Sequence, residues 1–398
     1  MRAWNYIRTI CIVCALVALP SATQAQNGIS TQFRLSDVLV IGDDESAPPA
    51  YLFTHPEHIR TDREGRIYVA EGRTTGNRPG RSVRVFDRNG TSLGRLGRGG
   101  EGPGEFQNIS AIALDSEQQL VVFDQMLNRF TRFAPFQDID RRPLPESDQI
   151  TTYPVRADYQ ITVPFMHRLP GMQLIAFHQP GPGQRAPDQP RLHVYDEELQ
   201  RVISLGQPGE WALPNDAFSR HLMQTPLLFE GSHIAPQNPT RVLAPTLYAG
   251  MLYRYTRDAS GGWTVERLQG RNPGHATHEI VDSPDRPFSL FTSAGIGARY
   301  RSASRGVGLL NDGRIVHLSV SEDESGRRQL QLELFSAEGT LHNVGRIDGF
   351  EHSETEFQAI NQAVNVSLEW IDPENRLYLV DRRSGVPVLR VVTLEETN

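Results

Sequence analysis

The chain has 398 residues, 38% hydrophobic and 22% charged, with 34 glycines and 27 prolines. That composition excludes disorder and collagen and fits a globular, turn-rich protein. The formal net charge of −7 gives no global electrostatic support for nucleic acid or an anionic membrane as partner, and the absence of lysine excludes lysine-based catalysis.

At the N-terminus, Arg2 and Arg8 flank the start of an apolar stretch of ten residues, 10–19, which runs into the small-residue segment 20–25. This pattern predicts a secretory signal peptide over residues 1–25, because a membrane span needs roughly 20 apolar residues. Cys11-Ile12-Val13-Cys14 lacks the small residue that a lipobox carries before its cysteine, which weighs against a lipid anchor. Both cysteines fall inside this segment. The expected mature chain, residues 26–398, therefore has no disulfide, thiolate metal site or cysteine nucleophile, and reads as one exported domain, periplasmic or extracellular.

Residues 33–42 form the first strand-like run. In residues 59–71, Asp62-Arg63-Glu64-Gly65 separates two apolar runs, as a β-hairpin turn does. The same unit recurs at 112–124, 309–316 and 370–381, and in weaker form at 169–176 and 238–244. The first apolar residues after the turns (Ile67, Leu120, Leu174, Val242, Ile315, Leu377) are spaced by 53, 54, 68, 73 and 62 residues, room for four short strands each. A third strand follows each hairpin, with an aromatic residue at one recurring position: Phe86, Phe133, Tyr195, Tyr255 and Phe335, replaced by Val392 in the last unit. These aromatics are expected to pack between neighbouring units. A turn and a fourth apolar run appear at 87–97, 196–206 and 336–345, whereas the sixth unit ends without one.

Six four-stranded units predict an all-β fold, a six-bladed β-propeller with antiparallel blades, in which the N-terminal strand at 33–42 closes the last blade. The segment Val83-Arg84-Val85-Phe86-Asp87-Arg88-Asn89-Gly90, running on through Leu96-Gly97-Arg98-Gly99-Gly100-Glu101-Gly102-Pro103-Gly104-Glu105-Phe106, with Ala113-Leu114-Asp115 and Asp124-Gln125-Met126-Leu127-Asn128-Arg129-Phe130, resembles repeats of secreted bacterial six-bladed propellers of the NHL-repeat-like or TolB-like type. The likeness is close over 59–133, moderate over 305–393 and weak over 134–300. It implies a binding or scaffolding surface more often than a known reaction, although calcium-dependent lactonases, metal-dependent amidating lyases and quinone-dependent sugar dehydrogenases share the fold.

Residues 97–102 match G-x-G-x-x-G, but no strand–helix context surrounds them, so they read as a blade-to-blade turn. Three loops expected on one face of the ring carry Arg73, Arg78 and Arg81, Arg185, and Arg327 and Arg328; with Arg98 they would form an arginine-rich rim suited to carboxylates or sulfates. Two histidine pairs, His55 with His58 and His275 with His278, offer two ligands each to a calcium or zinc ion, with no resident cofactor otherwise expected. Asp62, Asp115 and Asp372 read as turn residues in preference to calcium ligands. Spacing assembles no Ser-His-Asp triad. Residues 257–299 read as one long irregular connection, a flap over the channel mouth.

Two functional readings stay open. One is a monomeric binding or scaffolding module that recognises a protein, an acidic ligand or a glycan through the arginine-rich face. The other is a metal-dependent hydrolase or lyase, lactonase-like, with its site at the central channel.

Overall fold

The computed structural model describes residues 32–42, 47–71, 81–136, 149–155, 161–169, 173–180, 192–196, 198–205, 235–238, 240–245, 252–260, 263–271, 278–281, 289–291, 297–300, 302–322, 328–351, 366–383 and 386–397. The chain opens with β1 (Gln32–Ile41). Blade 1 comprises β2 (Pro56–Thr61), β3 (Ile67–Glu71), β4 (Val83–Phe86) and β5 (Ser92–Leu96). A short pair, β6 (Arg98–Gly99) and β7 (Glu105–Phe106), leads to blade 2: β8 (Ile109–Leu114), β9 (Leu120–Asp124), β10 (Arg129–Phe133) and β11 (Ile150–Pro154). Blade 3 is β12 (Ile161–Leu169), β13 (Gln173–Pro180), β14 (Leu192–Tyr195) and β15 (Arg201–Leu205). Blade 4 is β16 (Ala235–Asn238), β17 (Arg241–Pro245), β18 (Leu252–Arg257) and β19 (Trp263–Leu268). After β20 (His278–Val281), β21 (Ser289–Phe291) and β22 (Gly297–Tyr300), blade 5 follows as β23 (Ser302–Leu309), β24 (Ile315–Glu322), β25 (Arg328–Phe335) and β26 (Leu341–Glu351). Blade 6 holds β27 (Val366–Ile371), β28 (Leu377–Asp381) and β29 (Val388–Thr397).

The fourth strand of blade 6 is β1, which pairs antiparallel with β29 from Gln32↔Thr397 to Ile41↔Leu389. Closure by the N-terminal strand is therefore as the sequence predicts. One parallel bridge, Phe33↔Ile347, also joins β1 to the outer strand of blade 5, so these two blades form a continuous eight-stranded sheet. Each inner strand lies against the next around the ring, β2 to β8, β12, β16, β23, β27 and back to β2.

One register governs all six blades. The post-turn residue faces the recurring third-strand position in every case: Ile67↔Phe86, Leu120↔Phe133, Leu174↔Tyr195, Val242↔Tyr255, Ile315↔Phe335 and Leu377↔Val392. All five recurring aromatics are buried. They fill the layers between adjacent blades, as in the cluster of Ile59, Ile67, Val69 and Phe86 with Tyr378, Val380, Leu389 and Val391 across the closing seam. Sheets packed face to face in this way remove both faces of the inner strands from water, as in the fully buried β3 and β9.

Residues 257–299 are a correction to the sequence reading. The segment contains β19, the fourth strand of blade 4, and a small antiparallel sheet in the order β20-β22-β21, so it is no single irregular connection. In the sequence the Gly261-Gly262 pair ahead of β19 reads as loop punctuation, which disguised the strand.

Every inner strand also breaks its ladder once. The register shifts at His58 in β2, Ser110 in β8, residues 163–164 in β12, Gln237 in β16, Arg305 in β23 and Glu369 in β27. The inner strands present their free edges to the ring axis, and bulges of this kind blunt such edges while turning a side chain out of the two-residue alternation. His58 has φ 48°, an uncommon left-handed conformation for a residue with a side chain. Where blade 5 meets blade 6, Gly306 has φ 137°, and a Cβ there would collide with the Leu368 carbonyl. Only glycine permits that approach.

Candidate functional site

The axis of the ring is crossed by Arg60, which is 2% exposed. From β2 its Nη1 donates to the carbonyls of Ile59 at 2.6 Å and Glu369 at 3.3 Å, while Nη2 donates to the Met166 carbonyl. One side chain thereby links the inner strands of blades 1, 6 and 3. Its guanidinium lies 5.0 Å from the centre of the Trp370 ring, and the His167 ring sits 5.1 Å from Trp370 on another side. Trp370 Nε1 donates to Thr61 Oγ1 at 2.9 Å. Burial pulls the Arg60 guanidinium down to about 9, partly offset by Glu369, so it stays cationic at neutral pH. Burial, then the charge of Arg60, drives His167 down to about 3, so its imidazole is neutral. These three side chains form a floor across the channel.

At the start of β2, a polar cluster stands beside this floor. His55 Nδ1 lies 2.8 Å from Glu57 Oε1, and His58 Nε2 lies 3.8 Å from Glu57 Oε2, so both histidines address one carboxylate. The side chains of His55 and Glu57 are about one-third exposed, and solvent reaches them. Burial pushes the Glu57 carboxyl up, but the His55 hydrogen bond and the charges of His58, His55 and Arg382 outweigh it and hold the group below its usual range. Arg382 Nη2 donates to the Pro56 carbonyl at 2.7 Å. Behind the cluster, Glu369 Oε2 accepts from the His58 backbone N–H at 3.3 Å and Oε1 from Ser367 Oγ at 2.7 Å. Glu71 fixes the approach to β2: its Oε2 accepts from the N–H groups of Thr54 and His55, and its Oε1 pairs with Arg84 at 2.9 Å. Asp124 clamps Gln107 and Asn108 before β8 in the same way.

The sequence-predicted site residues are distributed as follows. His55 and His58 come together around Glu57, which the sequence reading did not single out. Among the described residues no group of three His, Cys, Asp or Glu side chains is placed to hold a metal ion. His278 opens β20, opposite Tyr300, and His275 lies outside the described residues. Of the arginines, Arg73, Arg78, Arg185 and Arg327 lie outside the described residues, and Arg328 begins β25 opposite Glu322. Arg81 and Arg98 are both exposed, and the Arg81 side chain lies against Gly99, the residue after Arg98 in β6. Arg98 is engaged, with Nη2 at 2.7 Å from Glu105 Oε1. The Gly102 N–H, followed by Arg98, holds the Glu105 carboxyl below its usual range.

Residues 97–106 form the two-residue parallel pair of β6 and β7, with Glu105 Oε2 accepting from the N–H groups of Glu101 and Gly102. That is a turn held by its own carboxylate, as the sequence reading has it. The hairpin aspartates are likewise occupied. Asp62 Oδ1 accepts from the N–H groups of Glu64 and Arg66, and its Oδ2 from Arg66 Nε and the Tyr68 hydroxyl. Asp372 repeats this set with Glu374, Arg376 and Tyr378, and Asp115 accepts from the N–H groups of Glu117 and Gln119.

Spacing assembles no Ser-His-Asp triad, but the fold assembles a Ser-His-Glu set that spacing does not show. Strand pairing brings Ser304, His317 and Glu333 together in blade 5, with Ser304 Oγ 2.9 Å from His317 Nε2 and His317 Nδ1 2.8 Å from Glu333 Oε2. Sequence order hides this because the three residues lie on three strands. The residues of the channel floor were missed for a related reason, although Arg60 and Trp370 share a readable signal: each stands two positions before its turn aspartate, where blade 2 has Ala113.

The fold and these groups define a six-bladed β-propeller whose inner strands Arg60 bridges. A family model described as DUF5128, a 6-bladed beta-propeller, matches residues 51–140, which span blade 1 and most of blade 2. No curated protein matches the chain. Among solved structures, the chain is similar to virginiamycin B lyase from Staphylococcus aureus at 10% identity and a TM-score of 0.42, covering 91% of this chain and 99% of that one. It is also similar to a candidate exported protein of Bacteroides fragilis (12% identity, TM-score 0.44, 92% and 99% covered). A candidate gluconolactonase gives 11% identity and a TM-score of 0.46, with 92% and 94% covered. Likeness at this level has no bearing on chemistry.

Proposed function

We propose that this propeller is an exported, monomeric binding module over residues 26–398, released from a signal peptide at 1–25, which captures an acidic ligand on the face where Arg81 and Arg98 lie. The observation that supports it most is the exposure of both arginines at the connection between blades 1 and 2, with Arg81 against Gly99. Exposed guanidinium groups of this kind suit recognition of a side chain or sugar acid by charge-assisted hydrogen bonds. Arg73, Arg78, Arg185, Arg327 and Arg328 extend the same surface in this reading, and the acidic groups belong to a protein or a glycan.

The test is calorimetric titration with poly-L-glutamate and with a sulfated oligosaccharide. Binding that weakens about tenfold in an Arg81→Ala, Arg98→Ala variant supports the reading, a loss of roughly 1.4 kcal/mol. Absence of binding to both polymers overturns it.

A second reading rests on the approach of His55 and His58 to Glu57: a metal-dependent hydrolase or lyase at the central channel, with calcium or zinc held by the two histidines and a third ligand from elsewhere in the ring. Elemental analysis before and after chelation, with thermal unfolding of both samples, distinguishes the two. Stoichiometric metal whose removal lowers the melting temperature favours the enzyme, and metal-free protein indifferent to chelator favours the binding module.

A further inference from the structure

Because all six blades share one register, each blade serves as a control for the others. Two residues past the post-turn position, the second strand carries Val69, Val122, Ala176, Ala244 and Leu379 in blades 1, 2, 3, 4 and 6. Blade 5 alone has a histidine there, His317, directly opposite Glu333. Packing between blades thus asks for an aliphatic side chain at this position, and a buried polar group is costly unless it is fully partnered.

In blade 5 the substitution comes with partners. Ser304, His317 and Glu333 are 3%, 0% and 1% exposed. The distances of 2.9 Å from Ser304 Oγ to His317 Nε2 and 2.8 Å from His317 Nδ1 to Glu333 Oε2 are those of a nucleophile, its base and the base's orienting group. Glu333 is fixed in turn, since its Oε1 accepts from the Arg271 N–H at 2.5 Å, and a Cβ on Gly270 would fall 2.6 Å from the same oxygen. Only a neutral imidazole with its proton on Nδ1 donates to Glu333 and accepts from the Ser304 hydroxyl at once.

Two more polar residues share the face. Ser319 pairs with Ser304 and with Gln331 across the neighbouring strands, and all three are buried. Ser319 Oγ is fully buried and has no hydrogen-bond partner among the described residues. A hydroxyl left over in this way can donate to a polar ligand beside Ser304.

We propose that blade 5 carries an acyl-transfer site, separate from the channel-mouth cluster, in which Ser304 is the nucleophile, His317 its general base and Glu333 the positioning residue, acting on small carboxylic esters. Ser304 lies on the inner strand, the one whose free edge faces the channel, and approach is from that side. In the reaction Ser304 Oγ bonds to the ester carbonyl carbon as its proton passes to His317 Nε2. The carbon–alkoxy bond then breaks and the departing alcohol takes that proton. A water molecule, deprotonated by the same nitrogen, attacks the acyl-serine, releases the carboxylic acid and returns the proton to Ser304. The sum is ester plus water giving acid plus alcohol.

The test is incubation of the folded, full-length protein with diisopropyl fluorophosphate, a reagent small enough for a buried serine, read by intact mass and peptide mapping. One adduct on Ser304 is expected, absent in Ser304→Ala and formed at least 100-fold more slowly in His317→Gln. Glu333→Gln, nearly isosteric, keeps the site testable if His317→Gln does not fold, and it is expected to slow labelling at least tenfold. Folded wild-type protein that stays unmodified in excess reagent, or an adduct that survives Ser304→Ala, overturns the proposal. So does an equal labelling rate in wild type and a folded Glu333→Gln, because a structural tie alone would alter melting without altering reactivity.

Discussion

Asp62 and Asp372 show how much one short side chain contributes when its turn is built around it. Each carboxylate accepts two backbone N–H groups, one arginine Nε and one tyrosine hydroxyl, with its side chain at most 1% exposed. Desolvation by burial, with the neighbouring aspartate second, pushes both tyrosine hydroxyls well above the ordinary phenol value. Removing Asp62 leaves four donors without their acceptor, so Asp62→Ala is expected to cost about 2–3 kcal/mol in urea unfolding. In the corresponding turn of blade 5 Leu310 holds this place, and Asp312, aligned with Glu64, is 46% exposed, so Asp312→Ala is expected to cost less than about 1 kcal/mol. Equal losses at the two sites would refute the assignment of the difference to the buried, four-donor position of Asp62. The turn aspartates were legible in the sequence because an Asp-x-x-Gly or Asp-x-x-Asn turn is a local event, complete within five residues. Arg60 was not legible in the same sense, since its partners on blades 6 and 3 become neighbours only when the ring closes.

Among elements, the inner three strands of each blade were readable and the outer strand was not always so. Inner strands are covered on both faces and carry nearly continuous apolar runs, as in the fully buried β3 and β9. The outer β11 runs Ile-Thr-Thr-Tyr-Pro with one buried residue in five, so hydrophobic pattern gives almost no signal there. β1 is an outer strand that did read clearly, because Phe33 and Ile41 are buried at its two ends. Its deletion, residues 32–41, removes both of these and strips β29 of its ladder. Burial of two such side chains alone is worth about 3–6 kcal/mol, and the loss is expected across the whole ring in one cooperative transition. A truncated protein that melts within a few degrees of the intact one would show that blade 6 closes without it.

For the whole molecule, pH is the lever on the channel floor. The His167 pKa is depressed from an ordinary 6.5 to about 3. Below 6.5 the unfolded chain therefore binds a proton that the folded one refuses, and stability falls as pH drops from about 6.5 toward 3. Glu57 acts in the same direction lower down: its stabilisation is present above the unfolded carboxylate value of 4.5 and is lost as pH falls further. His167→Asn is expected to flatten the melting temperature between pH 6.5 and 4.5 while leaving the acid limb below 4.5 in place. An unchanged slope over the upper interval would mean that His167 is protonated in the folded ring.

The irregular inner strands have a consequence for how such a protein changes over time. In a regular strand a residue cannot be exchanged without regard to the face it occupies, since alternation ties each position to an interblade layer. A bulged residue is released from that bond. His58, Ser110, Gln237, Arg305 and Glu369 are five different side chains held at such positions in five blades that otherwise follow one register. The wall of the channel is thus a set of sites open to substitution one blade at a time, with the layers that hold the ring together left undisturbed. Heredity can retune the axis of this molecule cheaply while its circumference is conserved by packing.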